Sequence, residues 1–173
     1  MNLDEPVDLA DFDPRLAHAY RGERDRLRLG LATASLKFEH VGSTAVPGLA
    51  GKPIVDLMLG ASAAVWPARD ELRPRLVALG YEDLGEAGVP GRLDFRRRTA
   101  LRAFNVALVE EGGEHWRANL AFRDYLRAHP DEAAAYADAK REAIAGGART
   151  LLAYSAAKAG TIEAILKKAL QRR

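Results

Sequence analysis

The stretch that most constrains the fold runs over residues 39–60 and reads EHVGSTAVPGLAGKPIVDLMLG. It combines Gly42-Ser43-Thr44 with a Pro-Gly turn, a basic residue at Lys52 and one acid, Asp56, in an otherwise apolar segment. Glycine and hydroxyl side chains let a backbone come close to phosphate oxygens, whereas an acid among apolar neighbours is costly to bury without a cation or a hydrogen-bond donor. The pattern therefore predicts a strand, a turn, a loop and a second strand around a polar site.

The length and composition indicate a single domain over residues 1–173. A chain of 173 residues with a hydrophobic fraction of 48% can bury a substantial core. No apolar run approaches the roughly 20 residues that a membrane-spanning helix needs. The N-terminal sequence MNLDEPVDLADFD is acidic where a signal peptide is basic. We therefore expect a cytoplasmic protein that has no membrane partner.

Residue types exclude several kinds of site. The chain has no cysteine, which excludes disulfides and thiolate ligands. Its four histidines, His18, His40, His115 and His129, form no closely spaced pair, so the spacing typical of a zinc site is missing. The net charge of +2 is too small to indicate nucleic acid, which we do not expect as a partner.

Hydrophobic periodicity and turn residues predict an α+β fold: a mixed β-sheet of about five strands covered by helices, with a helical C-terminal half. Strands are predicted at residues 36–41, 54–59, 81–84, 92–97 and 101–109. Helices are predicted at residues 14–32, 67–79, 114–128, 130–145 and 150–170. Asp13 is the predicted N-cap of the first helix, with Pro14 at its first position.

Three parts of the chain together resemble the GrpB family: the stretch EHVGSTAVPGLAGKPIVDLML, the later FRDYLRAHP, and the spaced pairs Tyr136-Lys140 and Tyr154-Lys158. The resemblance covers residues 13–166. GrpB proteins are a bacterial group also found fused to dephospho-CoA kinase. They are regarded as members of the nucleotidyltransferase superfamily, whose fold resembles the palm of DNA polymerase β. The resemblance implies a mixed sheet in which a Gly-Ser turn leads to the strand that carries the acids.

The acids of a nucleotidyltransferase are only partly present. Such an enzyme holds Mg²⁺ and a triphosphate with a Gly-Ser motif and two acids at i and i+2 on a strand, since those side chains face the same way. Asp56 matches the first acid, but Met58 occupies the second position, and a thioether is a poor ligand for a hard cation. The GrpB pattern usually has an apolar residue there. Asp94 is a candidate third acid, and Ala107 stands where the family tends to have a histidine.

The resemblance and the residue chemistry together assign a candidate site. Asp56, His40 and Glu39 are the candidate catalytic residues, and Asp56 is also the candidate metal ligand. The expected cofactors are Mg²⁺ and a nucleotide triphosphate. The residues expected to bind the nucleotide come from the Gly-Ser turn, the loop and the helical half: Gly42, Ser43, Thr44, Lys52, Arg123, Tyr136, Lys140, Tyr154 and Lys158.

A structural interpretation also exists for the candidates that lie outside the helical half. Ser43 and Thr44 are suited to capping a turn, and Asp56 to accepting hydrogen bonds from backbone amides. His40 fits a hydrogen-bonded structural histidine as well as a proton-transfer group. Lys52 fits a solvated lysine as well as one that points across the loop. Both interpretations stay open for each residue.

The helical candidates have the same two interpretations. In the pairs Tyr136-Lys140 and Tyr154-Lys158 the lysine follows the tyrosine by one helical turn, where a lysine stem lying along a ring is the commonest explanation. The match to family positions favours a role in ligand binding. Arg123, which lies next to an acid in the FRDYLRAHP motif, indicates an internal ion pair or a residue that supports the site.

A second basic group lies on the later strands and contains Arg92, Arg96, Arg97, Arg98 and Arg102. Alternation along a strand places Arg92, Asp94 and Arg96 on one face. These residues can pair with each other on a surface strand, or they can bind an anionic ligand.

Two hypotheses of function follow. The first is a Mg²⁺-dependent nucleotidyltransferase, or a related transferase of a phosphate-bearing ligand, that acts on a small metabolite. The second is a non-catalytic module that binds a nucleotide or phosphate and assists a partner, such as the CoA-pathway kinase of the fusions. An enzyme that joins a small carboxylate or amine to another metabolite with ATP would use the same pocket. The expected partners are a small phosphate-bearing molecule and either a second copy of the chain or a CoA-pathway enzyme.

Overall fold

The computed structural model describes residues 6–33 and 35–171. Within them the chain forms five α-helices: α1 (Arg15–Leu31), α2 (Leu72–Ala78), α3 (Glu114–Ala128), α4 (Pro130–Ala145) and α5 (Leu151–Leu170). The five strands are β1 (Leu36–Val41), β2 (Ile54–Ala61), β3 (Glu82–Gly85), β4 (Leu93–Arg98) and β5 (Ala103–Glu110). Within the described part of the chain, no helix is both long and apolar enough to cross a membrane.

The strands form one sheet in the order β1-β2-β5-β4-β3. The central pair, β2 and β5, is parallel, and the other three pairings are antiparallel. The sheet is therefore mixed, and the prediction of an α+β domain with a helical C-terminal half is confirmed.

The start of α1 lies one residue later than predicted. Pro14 occupies the N-cap position and Arg15 is the first helical residue. The Asp13 carboxylate still accepts a hydrogen bond from the Arg15 amide over 2.9 Å. It therefore satisfies one of the free amides at the helix start, as a capping side chain does.

The predicted helix over residues 67–79 differs from the structure. Trp66–Glu71 form a 3₁₀ turn, and the α-helix begins only at Leu72. Ala68 has non-helical angles inside that turn, with φ −98° and ψ 19°. Because the Ser62 carbonyl accepts hydrogen bonds from both the Val65 and Trp66 amides, the chain enters this region as a tight turn.

The last predicted strand also starts later than expected. Residues 99–102 form a turn between β4 and β5, in which the Thr99 amide donates to the Arg102 carbonyl over 2.8 Å. The Thr99 hydroxyl oxygen accepts from the Arg102 amide, which closes the turn. A short polar motif of this kind competes with strand extension, so β5 begins at Ala103.

Each face of the sheet has its own partner. Val55, Leu57 and Leu59 of β2 point to the face covered by α1 and α2, and they form the largest core with the apolar residues of those helices. On the other face Met58 packs against Trp116 of α3. The rest of that face carries polar side chains and is only partly covered.

A second core joins the helical half to the loop between β1 and β2. Val46, Leu49 and Ala50 of the loop are buried among residues of α3, α4 and α5, including Tyr136 and Ile165. The loop therefore leaves the sheet, packs among the helices and returns to the sheet, so the position of the helices fixes the position of the loop.

A buried ionic cluster fastens α1 to the sheet. Glu23 accepts hydrogen bonds from the Tyr81 hydroxyl at 2.6 Å, from Arg26 at 2.6 Å and from Arg97 of β4 at 2.5 Å. Burial acts to raise the pKa of Glu23, but the hydrogen bonds from Arg26, Tyr81 and Arg97 outweigh it and the pKa lies below its usual value. The carboxylate is therefore charged in the folded protein at neutral pH.

Replacing Glu23 with alanine is expected to lower the free energy of unfolding by about 3 kcal/mol, because the half-buried Arg97 guanidinium and the buried Tyr81 hydroxyl lose their acceptor. Glu82→Ala, which removes an exposed carboxylate from β3, is the control, with an expected loss of about 0.5 kcal/mol or less. Urea unfolding followed by tryptophan fluorescence measures both variants.

The same cluster sets a pH dependence. Because the folded pKa of Glu23 is lowered, its contribution is fully present above the unfolded pKa of about 4.3 and is lost as the pH falls through the folded pKa. The difference in stability between wild type and Glu23→Ala should therefore shrink below about pH 4. A difference that stays constant down to about pH 2 would contradict the cluster's role.

Candidate functional site

A chain of polar side chains crosses the open face of the sheet. Asp56 of β2 lies opposite Asn105 of β5, which in turn lies opposite Arg96 of β4. The Asn105 amide nitrogen donates to Asp56 Oδ1 over 2.8 Å, and Arg96 Nε donates to Asn105 Oδ1 over 2.9 Å. Hydrogen bonds in a row polarise one another, so the Arg96 charge strengthens the hydrogen bond from Asn105 to Asp56.

The Asp56 carboxylate lies in a strongly basic environment. Burial raises its pKa, while the hydrogen bond from Asn105 and the charges of Lys52, Lys158 and Arg96 act in the opposite direction. Three cations from three different segments thus face one carboxylate. The site therefore carries a net positive potential, which favours an anionic ligand.

The Gly42-Ser43-Thr44 turn leads from β1 to this carboxylate, as predicted. Gly42 has a φ of +72°, which side-chain-bearing residues rarely adopt. A Cβ atom at Gly42 would lie 2.4 Å from Asp56 Oδ2. The turn continues as the short 3₁₀ helix Ser43–Ala45. Glycine is therefore required at residue 42 both by the backbone angle and by the close approach of the acid.

Lys140 of α4 reaches the same turn from the helical half. Its Nζ donates to Ser43 Oγ over 3.0 Å and also to the Ala50 carbonyl. The ammonium lies 4.5 Å from the centre of the Tyr136 ring, and the residue is only 1% exposed. Burial lowers the pKa of Lys140 to about 7, with contributions from the charges of Lys158 and Arg141. The lysine therefore holds the Ser43 hydroxyl in place.

Lys158 of α5 repeats this arrangement one helix further on. Its Nζ lies 4.5 Å from the centre of the Tyr154 ring, so both predicted tyrosine–lysine pairs are in ring contact. Burial lowers the pKa of Lys158 to about 8; the charge of Lys52 adds to the shift, and Asp56 opposes it. The Asp56 charge also contributes to the raised pKa of Tyr136, after burial and the charge of Tyr154. The helical half thus brings basic and aromatic groups towards Asp56.

Arg123 of α3 has protein partners. Its NH1 donates to Glu39 Oε2 over 2.6 Å and to the His40 carbonyl over 3.0 Å, while its Nε donates to Asp124 over 2.8 Å. Arg127, one turn later, donates to the Ala45 carbonyl over 2.8 Å. These contacts fasten α3 to the end of β1 and to the turn. The structure thus places Arg123 and Glu39 beside the turn, in an ion pair with each other.

His40 lies on the other face of the sheet from Asp56, because its partner across the ladder is Leu57. Its ring stacks on Tyr20 of α1 with 4.6 Å between centres, and its Nε2 is 3.1 Å from Thr44 Oγ1. Burial lowers the pKa of His40 to about 4, and the charges of Arg127 and Arg123 contribute. A neutral His40 that is hydrogen-bonded to Thr44 matches the structural alternative for His40.

No second acid comes from Met58, which is two residues after Asp56 on β2, or from Ala107, which lies opposite Met58 on β5. Met58 is buried against Val109 and Trp116, and its neighbour across the ladder is Ala107. Asp94, the candidate third acid, lies beyond Ala107 on β4 and is bonded to Arg92 over 3.0 Å. Burial raises the pKa of Asp94; Arg92 opposes the shift, and the charge of Asp56 adds to it.

The donor set at Asp56 fits a Mg²⁺ ion only when a ligand supplies most of the oxygens. No group of three or more His, Cys, Asp or Glu side chains that could hold a metal occurs within residues 6–33 and 35–171. Asn105 Oδ1 is used by Arg96, which leaves the carboxylate of Asp56 as the metal-binding group of the row. Mg²⁺ is commonly held by one or two carboxylates together with phosphate oxygens.

Sequence reasoning missed Asn105 and Arg96 as members of the site. Alternation places Asn105 with Ala103 and Ala107 on one face, but not opposite Asp56, because a sequence does not state which strands pair. The asparagine within an apolar strand was the available signal, since a buried amide needs hydrogen-bond partners.

Comparison with known proteins gives one family. The model of the GrpB protein family matches residues 6–168. A UPF0157 protein of Streptomyces coelicolor is 38% identical over 94% of this chain and 84% of its own length. A crystal structure of the GrpB protein from Enterococcus faecalis superposes with a TM-score of 0.83 at 28% identity, over 95% of this chain and 98% of that chain.

Other similar proteins are longer than this chain. The chain spans 40% of the UPF0157 protein YqkA of Bacillus subtilis, at 32% identity over 80% of this chain. It spans 43% of a dephospho-CoA kinase of Mycolicibacterium paratuberculosis, at 30% identity over 88% of this chain. A structure of Cid1 poly(U) polymerase aligns over 68% of this chain and 38% of that chain, with a TM-score of 0.48 and 20% identity.

The contact between Gly42 and Asp56 predicts that adding a single methyl group at residue 42 destabilises the folded protein. Gly42→Ala is expected to lower the free energy of unfolding by roughly 1–3 kcal/mol more than Gly48→Ala. Gly48 has a similar φ of +78°, and a Cβ added there would meet nothing within 4 Å, so it is the control for the effect of a positive φ without a steric contact. Adding Asp56→Ala to Gly42→Ala should recover part of the loss. Equal losses at the two glycines, measured by urea unfolding, would contradict the contact.

Proposed function

The chain belongs to the GrpB family, and we propose that it is a transferase that binds a phosphate-bearing small molecule, a nucleotide triphosphate in the first place, between the open face of the sheet and the helical half. The observation that carries this proposal is the convergence of Lys52, Lys158 and the Ser43–Lys140 pair around Asp56. These groups come from the loop, α4 and α5, so the site exists only in the folded chain.

The polarity of the site favours phosphate. Phosphoryl transfer needs positioning and charge neutralisation more than covalent chemistry from the protein, and ammonium groups supply both. Lys140 is too buried to meet a ligand directly, so it acts by orienting the Ser43 hydroxyl and by its positive charge. Lys52 and Lys158 are partly exposed and are placed to contact phosphate oxygens.

Asp56 is the residue proposed to hold Mg²⁺ together with phosphate oxygens of the ligand. When bound, the ion would add charge neutralisation to that of the lysines. Asn105 and Arg96 keep the carboxylate oriented, and both oppose the rise of its pKa that burial causes. Glu39 and His40 are proposed as positioning residues, because Glu39 binds Arg123 and His40 holds Thr44.

A non-catalytic binding module is the second candidate. It is favoured by Met58 and Asn105, which leave Asp56 without a second carboxylate in its row, and by the relative named dephospho-CoA kinase. A module of this kind would bind the same ligand for a CoA-pathway partner or within a pair of chains. Release of pyrophosphate from ATP in the presence of a metabolite mixture favours the transferase, and tight ATP binding without release favours the module.

Isothermal titration with ATP, with and without Mg²⁺, tests the role of Asp56. Wild type is expected to bind ATP more tightly with Mg²⁺, and Asp56→Asn should lose this increment, because the amide no longer attracts the cation. ATP binding without Mg²⁺ should persist in Asp56→Asn, since a negative charge has been removed from the site.

Asp94→Asn is the control for this experiment. Asp94 is bonded to Arg92 and lies beyond Ala107, so its variant should keep the Mg²⁺ increment. Absence of ATP binding in the folded wild type would overturn the nucleotide proposal. An unchanged Mg²⁺ increment in Asp56→Asn would remove the metal from it.

The lowered lysine pKa values predict a pH dependence of binding. A lysine attracts phosphate only when protonated, and the pKa values of Lys140 and Lys158 are lowered to about 7 and about 8. The affinity for ATP should therefore fall as the pH rises from about 6.5 to about 9. Lys158→Arg should flatten this fall, because an arginine stays charged across the range. A steeper fall in Lys158→Arg than in wild type would contradict the assignment.

A further inference from the structure

A cavity opens on the sheet next to the proposed phosphate site. Its volume is about 380 Å³, which suits a small metabolite. Ile54 of β2 and Ala103 of β5 contribute to its floor, residues 6–8 form one wall, and residues 98–102 of the β4–β5 turn form the other. Lys52 lines the cavity as well and so belongs to both sites.

The cavity is adjacent to the polar row of the sheet. Ile54 and Ala103 lie opposite each other, and two residues further along the same strands Asp56 lies opposite Asn105. Strand geometry separates residues i and i+2 by about 7 Å, with both side chains on the same face. A molecule in the cavity would therefore lie about 7 Å from a ligand held at Asp56.

Among the described residues that line the cavity, basic side chains outnumber acidic ones. Lys52, Arg98 and Arg102 contribute three cations, and Asp8 contributes one carboxylate. Guanidinium groups bind planar carboxylates and phosphates through paired N–H donors, and they do so more specifically than a lysine. The exposed side chain of Leu101 and the apolar Ile54 line the same space. The ligand that fits combines an oxyanion with a small apolar body.

Both walls are held in place by backbone hydrogen bonds. In the turn, Thr99 bonds to the backbone of Arg102 in both directions. In the N-terminal wall, the Val7 amide donates to the Arg149 carbonyl over 2.9 Å, and Ala10 exchanges two bonds of 2.9 Å with Gly51. The cavity is therefore largely formed before a ligand binds, which lowers the entropic cost of binding.

We propose that this cavity binds the oxyanion end, phosphate or carboxylate, of a second small molecule. Its role as the acceptor in a transfer rests on the proposed function; binding of the anion itself does not. The site accounts for Arg98 and Arg102 of the basic group, which the nucleotide site does not use.

Titration of ¹⁵N-labelled protein with inorganic phosphate, and separately with acetate, tests the proposal. Saturable shifts are expected in the amides of residues 99–103 and of Lys52. A lower dissociation constant for phosphate than for acetate, taken from the concentration dependence of the shifts, indicates a preference for phosphate, and the reverse indicates a preference for carboxylate. Shifts confined to residues 42–44 with both anions, or no saturable shifts, would overturn the proposal.

Arg102→Gln should raise the dissociation constant of the preferred anion about tenfold, because a charged, forked donor is lost. Its backbone bonds to Thr99 do not depend on the side chain, and Arg98→Gln provides an independent second variant. Arg28→Gln removes the same charge from an exposed position of α1, which covers the other face of the sheet, and is the matched control. Equal effects of Arg102→Gln and Arg28→Gln would overturn the proposal.

ATP titration of the same variants separates this proposal from the previous one. Arg102→Gln should keep the wild-type affinity for Mg²⁺–ATP within about twofold, since Arg102 is not part of the row at Asp56. If the wild type fails to bind ATP but shows the phosphate shifts at residues 99–103, the anion site stands and the nucleotide site falls. The reverse pattern removes the anion site alone.

Discussion

The hydrogen bonds of the buried Lys140 ammonium connect the helical half of the structure to the loop between β1 and β2, and the proposed site depends on them. It joins α4 to the turn at Ser43 and to the end of the loop at Ala50, while its stem lies along Tyr136. A charge with so little exposure is costly unless it is bonded, so its partners fix the loop against the helices. The same cost lowers its pKa, so the group that holds the site together is also sensitive to pH.

Asp56 is a single acid that is surrounded by several basic side chains. In a nucleotidyltransferase two or three acids share the charge of metal ions, whereas here one acid is balanced by Lys52, Lys158 and Arg96. Basic side chains therefore supply much of the positive charge around Asp56 without a bound metal ion. In the proposed site, charge neutralisation of a phosphate ligand would therefore not rest on a metal alone, although Met58 stands in place of a second acid.

Much of the fold and part of the site could be predicted from the sequence. The limits of β1, α3 and α4 agree with the periodicity, because alternation and capping are local properties. The resemblance to the GrpB family implied a Gly-Ser turn leading to the strand of Asp56, but the contact between Gly42 and Asp56 comes from β1–β2 pairing, in which Val41 lies opposite Asp56. Strand pairing is not local, so the partnership of Asp56 with Asn105 and Arg96 and the distance of His40 from the acid appeared only in three dimensions.

The proposed function requires that phosphates bind beside Asp56, between the open face of the sheet and the helical half. Paramagnetic broadening by Mn²⁺ added with ATP tests it directly in ¹⁵N-labelled protein, because the effect falls steeply with distance from the ion. The account predicts the strongest broadening at residues 42–44, Asp56 and Asn105, with α1 and α2 little affected. Broadening that is uniform, or that centres on the face covered by α1, would contradict it.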